Sequence, residues 1–164
     1  MLKKIILCAL ILLPLGAFAQ EKIAYFNPKE VIVIMPEYKQ MEDSIQKTRA
    51  FMVRELEGMQ DEYKNKYQAF MNEGEGLIES IKIRRYQEIQ DLEQRAALYN
   101  EQSQQELEQL YVKLMEPIQK KVRDALQAVG AANNFLYILD ASVLLYTSPN
   151  AIDATKLIEK YLKL

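Results

Sequence analysis

The chain has 164 residues and a formal net charge of −2, from 21 lysines and arginines against 23 aspartates and glutamates. It contains no histidine and one cysteine, so the commonest general base, metal ligand and nucleophile–base pairs are missing. This composition argues against an enzyme, a metal site or a cofactor site, and against a nucleic-acid partner, because phosphate binding needs clustered positive charge.

The first 19 residues have the order of a secretory signal peptide. Lys3 and Lys4 precede an apolar run from Ile5 to Leu15, and Ala17-Phe18-Ala19 supplies the small residues that signal peptidase accepts. We therefore expect export and cleavage after Ala19. The alternative is a lipid anchor on Cys8, although this cysteine lies inside the apolar run rather than at its end. Cleavage would remove Lys3 and Lys4 and no acidic residue, leaving 19 basic and 23 acidic residues, a net charge of −4.

Two short elements are predicted after the cleavage site. Lys22–Phe26 is rich in apolar and aromatic residues, which indicates a strand. Asn27 is placed to cap a short helix that begins at Pro28 and runs to about Ile34. Pro36 suits the first turn of the helix that follows, where its missing N–H costs nothing.

A long region poor in helix breakers follows. No proline lies between residues 37 and 116, and the segment is rich in Glu, Gln, Lys, Met, Leu and Ala. It predicts two helices, 37–72 and 77 to about 129, joined by a turn at 72–76 that contains Gly74 and Gly76. The short turn makes the helices antiparallel neighbours. Pro117 is expected to kink the second helix.

A coiled-coil-like apolar seam runs along both long helices. Its residues are Tyr38, Ile45, Met52, Leu56, Met59, Tyr63 and Phe70 on the first helix, and Ile78, Ile81, Ile89, Leu92, Ala96, Tyr99, Leu107, Leu110, Leu114, Ile118 and Val122 on the second. Polar residues interrupt the seam at Arg49, Lys66, Arg85 and Ser103.

The C-terminal region predicts two more strands and a last helix. The strands are Phe135–Leu139 and Val143–Tyr146, separated by Asp140-Ala141-Ser142. Asp153 is the expected N-cap of a helix from Ala154 to Lys163. Its apolar side would carry Leu157, Ile158, Tyr161 and Leu162.

These elements predict a mainly helical fold with a small β body. The body comprises residues 20–35 and 130–164, and the helical hairpin arm comprises 36–129 with its tip at 72–76. A three-stranded sheet with two short helices is too small to be stable alone, so we expect an oligomer in which the sheets join. The alternative is a monomer whose helices fold back over the sheet.

Several apolar residues of the arm lie off the seam. Methionine and aromatic side chains form adaptable surfaces that suit partners without a fixed shape. Met52, Leu56, Met59 and Tyr63 are better explained by helix packing. Because a two-helix hairpin offers only one packing face, the off-seam residues should be partly exposed. They are the candidates for contact with a client protein: Phe51, Tyr67, Met71 and Tyr86.

The order and spacing of several segments resemble the Skp/OmpH family of periplasmic chaperones. The segments are Lys22–Asn27, Met35–Tyr38, Glu116–Val122, Tyr137–Ser142, Val143–Tyr146 and Asp153–Thr155. The resemblance covers residues 21–163 and implies a homotrimer whose strands form a barrel-like core from which the hairpins project as tentacles. The expected contributors to the trimer body are Ile23, Tyr25, Tyr137, Leu139, Leu144 and Tyr146.

The resemblance also implies a function in the periplasm, where unfolded outer-membrane proteins would be held between the arms without ATP. Strongly basic members have a proposed lipopolysaccharide-binding patch. This chain departs from them in its acidic charge and has one compact basic cluster on the arm, Lys82, Arg84 and Arg85, so contact with lipopolysaccharide or membrane is not predicted. A second hypothesis is a non-catalytic coiled-coil spacer or adaptor of the cell envelope.

Overall fold

A computed structural model describes residues 22–73 and 76–164. The expected signal peptide and its cleavage site lie outside these residues, as does part of the predicted turn. The elements are β1 (Lys22–Phe26), α1 (Pro28–Ile34), α2 (Pro36–Glu73), α3 (Glu79–Asn133), β2 (Phe135–Asp140), β3 (Ile152–Asp153) and α4 (Thr155–Leu162). The prediction of a mainly helical chain with a small strand body is confirmed.

The junction from β1 to α2 is built as the sequence predicts. The Asn27 side chain accepts a hydrogen bond from the backbone N–H of Lys29 at 3.2 Å and so caps α1. Met35 adopts an extended conformation, with φ −65° and ψ 133°. Because proline disfavours a helical conformation in the residue before it, Pro36 ends α1 and starts α2 in a new direction.

The three strands form one parallel sheet in the order β2-β1-β3. Ala24 lies opposite Ile138 on β2 and opposite Ile152 on β3. Parallel strands need a crossover connection, and here the crossover between β1 and β2 contains the whole helical arm. The backbone N–H of Ala154 also donates to Tyr25 O at 2.8 Å, which ties the start of α4 to the central strand.

The predicted strand at Val143–Tyr146 is wrong, since the third strand is Ile152–Asp153. Asp140 Oδ1 accepts from the Ser142 N–H at 2.8 Å, and Ala141–Val143 forms a turn of 3₁₀ helix. Both edges of the central strand β1 are already taken by β2 and β3, so the segment has no place beside β1. Apolar β propensity alone therefore did not decide the pairing.

The last helix differs from its prediction in its cap and in its buried face. Ala154 occupies the cap position, so the helix begins at Thr155, one residue later than predicted. Asp153 lies just before the cap, and its Oδ1 accepts a hydrogen bond from the Thr155 N–H at 2.9 Å. Ile158 is fully buried and Leu162 packs against the core. The buried face follows the spacing of Thr155, Ile158 and Leu162, so the prediction was wrong for Leu157 and Tyr161, which are 37% and 53% exposed.

The two long helices form an antiparallel hairpin. Glu37 pairs with Lys121 near the base and Glu73 with Arg85 near the tip. The 38 residues of α2 span about 57 Å at 1.5 Å per residue. The 55-residue α3 passes through Pro117 without ending and stops where Asn134 takes a left-handed conformation, φ 54°.

The hydrophobic core lies at the base of the arm, where the sheet, α1, α4 and the lower parts of α2 and α3 meet. Its buried members are Ala24, Phe26, Val31, Met35, Met41, Met115, Ile118, Val122, Ala125, Val129, Ala154 and Ile158. The core therefore joins both ends of the chain to the lower part of the hairpin.

Above the base the arm is held by the predicted seam. The seam residues of α2 are all half-buried, and Ile89 and Leu92 of α3 are buried. Ile78 is 66% exposed and does not join the seam, because α3 begins only at Glu79. Residues on a two-helix seam remain partly accessible because they have a single packing partner.

Two of the polar interruptions of the seam lie beside each other in the folded arm. Arg49 of α2 and Ser103 of α3 line one cavity of about 90 Å³, together with Met52, Leu56 and Tyr99. Ser103 is only 9% exposed. The short serine side chain leaves the seam underpacked at the middle of the arm.

Replacing Ser103 with leucine should stabilise the arm. We expect S103L to raise the free energy of unfolding by about 1–2 kcal/mol, because a leucine buries apolar surface where the serine leaves a gap. Chemical denaturation measures this. Q102L, at the adjacent exposed position, is the matched control and should change stability by less than about 0.5 kcal/mol. A lower stability of S103L than of Q102L would contradict the underpacking.

The ion pair at the base should make stability pH-dependent. The hydrogen bond from Lys121, followed by a smaller backbone contribution, holds the pKa of Glu37 below its ordinary value of 4.5. A carboxyl with a lowered pKa stabilises the fold above its unfolded pKa, and this stabilisation is lost as the pH falls through the folded value. The Glu37 side chain is 36% exposed, so solvent screening limits the effect to about 1 kcal/mol at most.

We therefore expect K121Q to be less stable than the parent protein at pH 7 and equally stable well below pH 4.5. Denaturant titrations across this range measure the difference. K113Q is the control, since Lys113 makes no ion pair within residues 22–73 and 76–164. A difference between K121Q and the parent that persists unchanged at low pH would show that the Glu37 charge is not its cause.

Candidate functional site

The four candidate client-contact residues are all exposed in the single chain. Phe51 is 59% exposed, Tyr67 45%, Met71 62% and Tyr86 52%. Their exposure agrees with the expectation that a two-helix hairpin cannot bury off-seam side chains. Whether they contact a client stays a prediction.

Their positions relative to the seam divide them into two groups. Tyr67, Met71 and Tyr86 each come one residue after a seam position, which places them about 100° around the helix from the seam. Phe51 comes one residue before the seam residue Met52, so it is displaced by about 100° in the opposite sense. The candidates therefore do not form one surface.

Residues that follow the seam on α2 and α3 lie on the same flank of the hairpin. Viewed along the arm, antiparallel helices turn in opposite senses, so equal offsets from the seam point to the same side. Ion pairs confirm this geometry for the residues that precede the seam. Glu62 of α2 and Glu88 of α3 both lie near Lys66 Nζ, at 3.7 Å and 3.4 Å.

Aromatic contacts join the first group near the tip. The rings of Tyr63 and Tyr67 are stacked with centroids 6.0 Å apart. Across the hairpin, the rings of Phe70 and Tyr86 have centroids 6.3 Å apart. The exposed aromatics thus rest on seam aromatics, which limits their freedom while leaving their outer faces accessible.

Two further residues belong to the same side and were missed by sequence reasoning. Val53 and Tyr111 are 49% and 47% exposed, and each follows a seam residue directly. We call the five residues Val53, Tyr67, Met71, Tyr86 and Tyr111 the aromatic flank. Phe51 and Leu98, which is 53% exposed, each precede a seam residue and lie on the opposite flank. Reading the residue after each seam position would have found the additional members.

Charged groups near the tip are largely paired. Arg85 Nη1 lies 2.7 Å from Glu73 Oε2, and Arg84 Nε lies 3.6 Å from Glu88 Oε1. Two members of the basic cluster predicted from sequence thus have carboxylate partners, which lowers the positive potential available to an anionic ligand. The geometry of the tip therefore gives no support to a lipopolysaccharide site.

The exposed side chains of the arm suit adaptable apolar contact. Within the described ranges, no group of three or more His, Cys, Asp or Glu residues is placed to hold a metal ion. Among the helices described, none is both long and apolar enough to cross a membrane. The aromatic flank instead offers valine, methionine and tyrosine side chains that can bury an apolar segment in many orientations.

The residues predicted for the trimer body divide between the sheet and the loop. Ile23 lies opposite Tyr137, and Tyr25 lies opposite Leu139. Successive residues of a strand alternate between faces, so these four share the face opposite to that of the buried Ala24. Ile23 is 50% exposed and Tyr137 57%. Leu144 and Tyr146 follow the 3₁₀ turn and belong to no strand.

Comparison with known proteins identifies the family. The family model described as "Outer membrane protein (OmpH-like)" matches residues 22–162. The fold is similar to the crystal structure of an OmpH-like protein from Caulobacter crescentus CB15, a proposed outer membrane chaperone, with a TM-score of 0.76 and 15% sequence identity over 88% of this chain and 85% of the other. No curated protein matches significantly. The match over nearly all described residues shows that the chain belongs to the OmpH-like outer membrane protein family.

Proposed function

We propose that the protein is an ATP-independent periplasmic holdase that binds unfolded outer-membrane proteins between its helical arms. The observation that carries this proposal is the aromatic flank, five exposed valine, methionine and tyrosine side chains on one side of the helical hairpin. Membership of a family that includes a proposed outer membrane chaperone supports it.

The flank would hold clients through several weak contacts. Covering a half-exposed apolar side chain contributes about 1 kcal/mol, so no single contact is tight, while several together retain an unfolded segment. Tyrosine hydroxyls at the rim of each contact would remain hydrated or bond to the client backbone. Release needs no chemical step, since each contact breaks independently as the client folds elsewhere.

Three arms would form the cavity. The open sheet face that carries Ile23, Tyr25, Tyr137 and Leu139 is apolar and accessible in the single chain, and the core beneath it is small. Joining three such faces would bury this surface and gather the arms at one end. In that assembly the aromatic flank would face the enclosed space.

A spacer or adaptor of the cell envelope is the alternative. It would use the arm only as a rigid rod, with its apolar surface buried against one folded partner. The exposed aromatic flank and the underpacked seam at Ser103 favour the holdase, because a rod needs a tight seam and no accessible apolar strip.

Aggregation of a denatured outer-membrane β-barrel protein, followed by light scattering without ATP, tests the holdase. The purified protein should suppress aggregation at stoichiometric amounts. The double variant Y67S/Y86S removes one flank residue from each helix and should weaken client binding roughly 10- to 30-fold, as expected for the loss of two contacts of about 1 kcal/mol each.

The matched control is F51S/L98S, which removes one exposed apolar residue from each helix on the opposite flank. It should retain the suppression of the parent protein. Equal loss in both double variants would show that the aromatic flank is not the contact surface. Failure of the parent protein with several clients, combined with recovery of one stoichiometric folded partner, would favour the adaptor.

A further inference from the structure

The cavity in the middle of the arm is an unfilled space in the seam between α2 and α3. It has a volume of about 90 Å³ and lies where the buried Ser103 takes the place of a larger seam residue. Its half-buried wall residues are apolar or aromatic: Met52, Leu56, Tyr99 and Leu107. A gap in a helix seam lowers stability, so filling it with an apolar group from outside is favourable.

The mouth of the cavity lies on the side of the aromatic flank. Three lining residues lie outside the seam, Val53, Asn100 and Gln104, and each directly follows a seam position. Among the described residues, none that lines the cavity directly precedes a seam position. Residues that follow the seam on the two helices share one side of the hairpin. The cavity therefore opens on the side of the aromatic flank, of which Val53 is itself a member.

Polar side chains surround this mouth. Arg49, Asn100 and Gln104 line the cavity and are exposed. Within residues 22–73 and 76–164, none of these three side chains takes part in a hydrogen bond or an ion pair. Amides and guanidinium groups hydrogen-bond to peptide groups, which an unfolded segment carries unpaired. An apolar recess with a few polar groups at its edge is the usual form of a binding site.

The volume of the cavity restricts which side chain can enter. An apolar cavity of about 150 Å³ admits a benzene ring, and the space available here, about 90 Å³, is smaller. A branched aliphatic side chain is compact enough for this space. An aromatic ring is too large to enter completely and would stay outside, against the flank.

The cavity is also placed between members of the flank. Tyr111 lies eight residues from Ser103, about 12 Å toward the base at 1.5 Å per residue. Tyr67 lies 14 residues from Val53, about 21 Å toward the tip. An extended segment rises about 3.3 Å per residue, so about ten residues reach from Tyr111 to Tyr67 across the mouth of the cavity.

We propose that this cavity is an anchor site, into which an unfolded client inserts one branched aliphatic side chain while its backbone bonds to the polar groups at the mouth. The inference rests on the proposed function and deepens it, because it names the substrate class. That class is an extended segment with leucine, isoleucine or valine at the cavity and apolar residues on either side. The flank holds many sequences, and the cavity adds a preference for aliphatic over aromatic side chains at one point.

Filling the cavity from within tests the anchor. S103L places a leucine in the space and is expected to stabilise the arm, so a loss of binding would not come from unfolding. The probes are a fluorescein-labelled ten-residue peptide that alternates leucine with serine, and its counterpart with phenylalanine in place of leucine. Fluorescence anisotropy should show the Kd of the leucine peptide raised about tenfold in S103L, as expected for the loss of one buried aliphatic side chain. The Kd of the phenylalanine peptide should change by less than about twofold.

Two control variants accompany S103L. Q102L adds the same side chain on the opposite flank, and S103A keeps the cavity open, so both should bind the leucine peptide as the parent protein does. If S103L binds the leucine peptide as tightly as Q102L does, the anchor is overturned and the holdase is left in place. Equal weakening of both peptides in S103L also overturns it, since the cavity would then not select aliphatic side chains.

Other outcomes are distinguished with the same samples. If S103L changes the mass measured by light scattering and leaves peptide binding unchanged, a second copy of the chain occupies the cavity and the client anchor is overturned. An S103L protein no more stable than Q102L shows that there is no space to fill, with the same consequence. A parent protein that suppresses aggregation yet binds neither peptide overturns the anchor alone. One that does neither removes the proposed function, and this inference with it.

Discussion

The parallel pairing of β1 with β2 joins the two ends of the chain, and the other features of the fold depend on it. Because parallel strands cannot be connected by a tight turn, the intervening residues must leave the sheet and return. The chain does so through one long hairpin. The small hydrophobic core then stabilises the junction of the two chain ends. It contains Phe26 and Val31 from the N-terminal side and Ile118 and Ile158 from the C-terminal side.

The arm separates two tasks that its sequence places one residue apart. Seam positions hold the helices together, while five of the residues directly after them are exposed and apolar. The residues before them include Glu62 and Glu88, which pair with Lys66, so this side of the hairpin carries more charged residues than the aromatic flank. In the proposed function, such a surface would bind without a pocket, which suits a partner that has no fixed shape.

The helical part of this fold was predictable from sequence, and the sheet was predictable only in part. Prolines, glycines and apolar spacing are local signals, so β1, α1 and the hairpin were found nearly to their ends. Strand pairing depends on which edge is free. Val143–Tyr146 therefore had the composition of a strand without a place beside β1, while Ile152–Asp153, with little strand character, took that place. Off-seam spacing predicts that Tyr67, Met71 and Tyr86 are exposed, whereas Val53 and Tyr111 join them only when the direction of each residue around its helix is known.

The order of the strands also constrains when the body can form during synthesis. β1 is made first, yet both of its neighbours lie beyond residue 134. The hairpin, by contrast, is complete in its local contacts before β2 exists and can fold as helices pair behind the tip. By bringing Glu37 and Lys121 together, the folded hairpin shortens the loop that must close when β1 meets β2. Folding of the arm therefore also lowers the entropic cost of forming a sheet between distant ends of the chain.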